Sequence, residues 1–123
     1  MDHSISLFQE RTQLSLSKGK YNLYFLGGYE VLNEGDFIIG LFNLEMTEQV
    51  KFEFATRIRV RINGRRGVKY FQFELSKNAD YLLLIQRPDE LTIKKSILTS
   101  FNFFHSPIQA SDKKVYIERV YDR

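Results

Sequence analysis

Residues 57–75 read Arg-Ile-Arg-Val-Arg-Ile-Asn-Gly-Arg-Arg-Gly-Val-Lys-Tyr-Phe-Gln-Phe-Glu-Leu, and this stretch decides the fold class. Ile58, Val60 and Ile62 alternate strictly with Arg57, Arg59 and Arg61, and successive side chains of a β-strand point to opposite faces. Asn63-Gly64 follows, the strongest short hairpin signal in the chain, although Arg65-Arg66-Gly67 leaves room for a longer loop. Lys69 to Leu75 reads as the return strand, with Lys69, Phe71, Phe73 and Leu75 sharing a face.

The same two-residue period extends outward in both directions. Thr12 to Ser17 alternates with Leu14 and Leu16 on one side, and Tyr21 to Leu26 sets Tyr21, Leu23 and Phe25 against Asn22, Tyr24 and Leu26. Val50, Phe52 and Phe54 oppose Lys51 and Glu53, while Phe37 to Asn43 and Tyr81 to Ile85 are short, nearly continuous apolar runs suited to buried strands. Near the C-terminus, Val115, Ile117 and Arg119 alternate with Tyr116, Glu118 and Val120. Gly27-Gly28, Asn33-Glu34-Gly35-Asp36 and Arg87-Pro88-Asp89 punctuate these runs. Two segments are ambiguous. Glu45 to Gln49 could form a helical turn, and Asp89 to Phe104 fits either a strand over Leu91–Ile97 or a helix capped by Asp89. The β-branched Thr92, Ile93 and Ile97 favour the strand. Many short strands, regular turn signals and little helix predict an all-β, two-sheet antiparallel β-sandwich of jelly-roll type. The 123 residues suit one domain spanning 1–123.

Composition narrows the chemistry. Cys is absent, which removes disulfides, thiolate metal sites and Cys nucleophiles. No apolar run approaches the roughly 18 residues of a spanning helix, so no transmembrane segment is expected. The chain opens on Met1 without a leader pattern, which points to the cytoplasm. No Gly-x-Ser-x-Gly elbow, phosphate loop or His-Glu-x-x-His occurs. Neither His3, in a terminal segment, nor His105, after an aromatic run, has a second ligand at metal spacing. Glu45 with Glu48, and Glu53 or Glu74, could be brought together as a carboxylate pair, but solvated strand faces explain them more simply. The expectation is a protein without catalytic residues, metal or cofactor.

Charge is distributed unevenly. Residues 1–55 carry four basic side chains against eight acidic ones, residues 56–123 fourteen against seven, and the whole chain has a net charge of +3. Arg57, Arg59, Arg61, Arg65, Arg66 and Lys69 fall together without an intervening acid. Arginines on one strand face stand about 6.5–7 Å apart, near the phosphate repeat of a nucleic-acid strand, and each can hold a phosphate through two hydrogen bonds. This basic hairpin is the candidate site for a nucleic acid or other polyanion, with Tyr24, Tyr29 and Tyr70 as candidate aromatic contacts. Arginines on an edge strand also deter pairing with other chains, and Glu53 or Glu74 could face them as cross-strand partners. Seven Tyr and eleven Phe exceed what a core this size needs. Surplus Tyr suits a protein interface, or carbohydrate stacking if coplanar rings line a concave face. Taken together, these features favour a non-catalytic module that binds a protein partner or a second copy of itself. Polyanion binding through 57–69 and carbohydrate binding are the alternatives.

Overall fold

The computed structural model describes residues 3–28, 30–33, 35–45, 47–88, 91–94 and 113–120. The chain runs through β1 (His3–Ser6), β2 (Arg11–Leu16), β3 (Gly19–Leu26), β4 (Glu30–Asn33), β5 (Ile38–Asn43), β6 (Glu53–Phe54), β7 (Arg59–Ile62), β8 (Arg65–Leu75), β9 (Ala79–Gln86), β10 (Thr92–Lys94) and β11 (Lys114–Val120). One sheet has the order β1-β11-β3-β8-β6, with β7 also on β8, and the other has the order β2-β9-β5. Every pairing is antiparallel. The first strand pairs with the last; β2, β5 and β9 cross to the smaller sheet, while β6, β7 and β8 follow one another in the larger one. This is the jelly-roll arrangement.

Alternation builds the core between the sheets. From the larger sheet come Ile5, Tyr21, Leu23, Phe25, Phe73, Leu75, Val115 and Ile117, and from the smaller one Leu14, Leu16, Leu41, Tyr81, Leu83 and Ile85, all buried. Each fully buried side chain of this size contributes about 1.5–3 kcal/mol. Tyr21 stacks on Phe73 with ring centroids 5.3 Å apart, and its hydroxyl donates to the Ser17 carbonyl. Both tyrosine needs are met there, since the ring is dry and the O–H is paired.

Several local expectations require correction. Glu45 does not begin a helical turn: the Asn43 N–H donates to Glu48 O and the Val50 N–H to Leu41 O, so residues 48–50 return alongside β5. Val50 to Phe54 is a strand only over its last two residues. β4 and β10 form a separate two-stranded ribbon, in which β4 occupies a segment that carries no clear alternation. β10 agrees with the strand reading of Leu91–Ile97 for residues 92–94, whereas residues 95–104 and His105 lie outside the described residues. His3, in the terminal segment, is the first residue of β1 and pairs with Ile117.

The hairpin closes more tightly than Arg65-Arg66-Gly67 suggests. Ile62 pairs with Arg65, which leaves only Asn63 and Gly64 in the loop, at φ of 50° and 79°. Positive φ at both positions is the two-residue turn whose twist matches the flanking strands, and Asn-Gly is its preferred sequence.

Candidate functional site

The site is set by a single irregularity in β8. Leu23 pairs with Phe71 and Tyr24 with Lys69, so Tyr70 has no counterpart on β3. An extra residue on one strand is a β-bulge, and it inverts the alternation on either side of it. Phe73 and Leu75 point inward beyond the bulge, Val68 points inward before it, and Lys69 falls on the outer face. The predicted common face of Lys69, Phe71, Phe73 and Leu75 is therefore wrong at Lys69. The bulge also splits the neighbouring edge strand. Ala55 N–H reaches Tyr70 O, Lys69 N–H reaches Ile58 O, and Thr56-Arg57 between them belongs to no strand.

Register then sorts the basic residues. Arg59 lies opposite Val68 and Arg61 opposite Arg66, and directly opposite residues of a ladder share a face. Arg59, Arg61 and Arg66 thus continue the layer of Val68 and Phe25, the inner face of the sheet. Val68 and Phe25 are buried, whereas the three arginines are exposed; the second sheet does not extend over them. Arg65, opposite Ile62, and Lys69 fall on the outer face. Arg57 lies outside β7. Its Nη1 donates to the carbonyls of Ala55 and Tyr70, each at 3.1 Å, and its guanidinium carbon sits 3.7 Å from the Tyr70 ring centroid. The six clustered cations therefore divide into a row of three, a pair on the reverse face, and one cation fastened to an aromatic ring.

The tyrosines expected as contacts do not present open rings. Tyr70 is 5% exposed and Tyr24 is 6% exposed. Tyr70 is covered by Arg57 and packs on Phe25 at 4.9 Å. Tyr24 donates its O–H to Glu118 Oε1 at 2.9 Å and meets Tyr116 edge-on with rings inclined by 60°. Burial of apolar area outweighs exposure for both rings, because each faces a packed neighbour rather than solvent. Tyr29 lies outside the described residues. Besides Phe8, at 45%, the exposed phenylalanine ring among the described residues is Phe54, at 67%. It pairs with Phe71 across the ladder, at 5.2 Å between ring centroids, so it too lies on the inner face where the second sheet stops. Its place in the Val50-Phe52-Phe54 alternation reads as core, and nothing local marks the strand as an uncovered edge.

The acids suggested as partners for the arginines are elsewhere. Glu53 pairs with Gln72 and Glu74 with Lys20. With Glu48 they line an open cleft of about 740 Å³, where Lys20, Lys51 and Lys69 are interleaved among them. Tyr81 forms part of its wall; burial raises this phenol above its ordinary value of 10.0, and a hydrogen bond with Asn43 partly offsets the rise. Among the described residues no group of three or more His, Cys, Asp or Glu could hold a metal ion, and no helix is long and apolar enough to cross a membrane. Comparison with protein-family models, curated proteins and solved structures finds no match for this chain.

Proposed function

We propose that this domain is a non-catalytic binding module that holds an extended polyanion along the inner face of the β7–β8 hairpin. The observation that carries the reading is the register, which sets Arg61 directly across from Arg66 and beside Arg59. Like charges at opposed positions cost roughly 0.2–1 kcal/mol. Edge protection would account for Arg59 and Arg61 on the outer strand, but it gives no reason for Arg66. That residue lies on β8, which is also paired to β3. Three exposed guanidinium groups on one face suit a line of phosphates, each of which a guanidinium can grip through two hydrogen bonds.

The test is fluorescence anisotropy with end-labelled inorganic polyphosphate, at low and at physiological salt. Wild-type protein is expected to bind tightly at low salt and to weaken steeply as salt rises. The Arg59→Ala, Arg61→Ala, Arg66→Ala triple variant is expected to lose most of that affinity. Equal binding by the two proteins would overturn the proposal.

A second reading, association with a protein partner or a second copy, is supported by the free edge of the larger sheet, where Phe54 and Ile58 are 67% and 46% exposed. Sedimentation velocity separates the two. A dimer that dissociates on Phe54→Ser would favour this reading; a monomer at all concentrations would count against self-association. Carbohydrate binding has less support, because the described tyrosines are buried or inclined to one another rather than coplanar and open.

A further inference from the structure

We infer that the smaller sheet pairs edge to edge with that of a second copy of this chain, β2 against β2, about a two-fold axis at Gln13. The inference is independent of the polyanion reading, which uses the other sheet. It starts from the hydrogen bonding of β2. The Ile85 N–H donates to Glu10 O, and hydrogen-bonded and non-hydrogen-bonded pairs alternate along an antiparallel ladder. Thr12, Leu14 and Leu16 therefore engage β9 with their N–H and C=O groups, opposite Leu83, Tyr81 and Ala79. Arg11, Gln13 and Ser15 direct theirs away from the sheet, where no further strand lies. Among the described residues the one hydrogen bond to these outward groups is from the Gln9 side-chain amide, 3.5 Å from Arg11 O.

The other edges of the two sheets are each blunted, and this one is not. β1 has only four residues. The β6–β7 edge is interrupted at Thr56-Arg57 and carries Arg59 and Arg61. β5 is covered from Leu41 to Asn43 by the returning residues 48–50. β2 runs for six residues in unbroken register with β9. It contains no Pro and no Lys, and its one charge, Arg11, stands at its end.

Charge selects the occupant. Residues with outward main-chain groups pair with each other, so an axis at Gln13 sets Arg11 of one copy opposite Ser15 of the other. In the same row beyond that Ser15 lies Asp80, whose Oδ1 accepts a hydrogen bond from Ser15 Oγ at 2.6 Å. Two strand spacings, about 10 Å, separate the Arg11 and Asp80 backbones, a gap that the two side chains close from either side. Both residues are exposed, and neither has an ion-pair partner within its own chain among the described residues. The axis makes the contact twice. An axis at Arg11 would oppose like charges, one at Thr12 would set Arg11 in a row with Gln13 and Leu82, and one at Leu14 would carry it past the end of the strand. On the inner face Thr12 meets Leu14 of the second copy, and the two small sheets become continuous.

Sedimentation velocity over a concentration series is the test, with a monomer–dimer equilibrium expected for the wild-type protein. Gln13→Pro removes the central outward N–H and leaves the bonds to β9 in place. Asp80→Arg puts like charges into the row. Each should raise the dimer dissociation constant about 10-fold or more, whereas Phe54→Ser, on the other sheet, should not change it. Adding Arg11→Asp to Asp80→Arg should return the constant to within about 3-fold of wild type. Amide exchange supplies a second readout: the Gln13 and Ser15 N–H groups should become protected as concentration rises. Thermal melts at concentrations below dimerisation separate loss of pairing from loss of folding. If Gln13→Pro melts early, Asp80→Arg and the charge swap decide the matter. A monomer at every concentration, a dimer that Asp80→Arg leaves intact, or a charge swap no tighter than Asp80→Arg alone would overturn the pairing.

Discussion

β8 contains two regions with opposite properties. From Phe71 to Leu75 it is a core strand: Phe73 and Leu75 are buried, Phe73 stacks on Tyr21, and the exposed positions between them are the polar Gln72 and Glu74. From Arg65 to Lys69 the ladder continues, with β7 beside residues 65–68 and β3 beside residues 67–69. There, however, the inward face passes from Val68 to Arg66 and the opposing sheet ends. The Tyr70 bulge separates the two. The comparison teaches that hydrogen bonding and coverage are independent. A ladder can continue past the edge of its core, and the inward residues it carries there are exposed.

The largest effect is expected where the regions meet. Phe25 is buried against Tyr70, Phe71 and Phe37, and Phe25→Ala should cost about 3–5 kcal/mol, measured as a shift in the urea midpoint at constant slope. Gly67→Ala comes next. A Cβ there would stand 2.6 Å from Leu26 Cδ2 and 3.1 Å from the Phe25 carbonyl; since Leu26 is itself buried, overpacking of about 1–3 kcal/mol is expected. A variant of unchanged stability would show that Leu26 has room to move.

Arg57→Ala removes two hydrogen bonds to main-chain carbonyls and a cation–π contact. It should lower the melting free energy by about 1–2 kcal/mol, with Arg57→Lys recovering only part because an ammonium cannot lie flat on the ring. The smallest effect on stability belongs to the arginine row. Arg61→Thr should change stability by less than about 0.5 kcal/mol while reducing polyanion affinity several-fold in the anisotropy assay. A large loss of stability there would place Arg61 with the packed region and break the comparison.

Much of the fold was legible in sequence because its signals are local. Period-two alternation at Thr12–Ser17, Tyr21–Leu26 and 114–120, together with Asn63-Gly64, indicates strands and turns without reference to partners. The site was only half legible. The charge cluster could be seen at residues 57–69, but its division into faces depends on the Tyr70 bulge, a mismatch between two strands more than forty positions apart. The exposures of Phe54 and Tyr70 were not legible for a related reason. Both are aromatic residues in alternating segments, and exposure depends on where the second sheet stops, which neither segment encodes. The β4–β10 ribbon escaped because β4 is short and bounded by turn residues, so its partner supplies the information its own pattern lacks.

The central claim is that one face of the hairpin, rather than its total charge, holds the anion. The direct measurement is the salt dependence of oligothymidylate affinity for two variants: Arg59→Ala, Arg61→Ala, Arg66→Ala on the inner face, and Arg65→Ala, Lys69→Ala on the outer face. With each phosphate contact on a single strand contributing about 0.7 to the slope of log K against log salt, the inner-face variant should lose about 2 from that slope. The outer-face variant should retain the wild-type slope. Equal losses per charge removed from either face would contradict the account and leave the hairpin as a diffuse patch of positive charge.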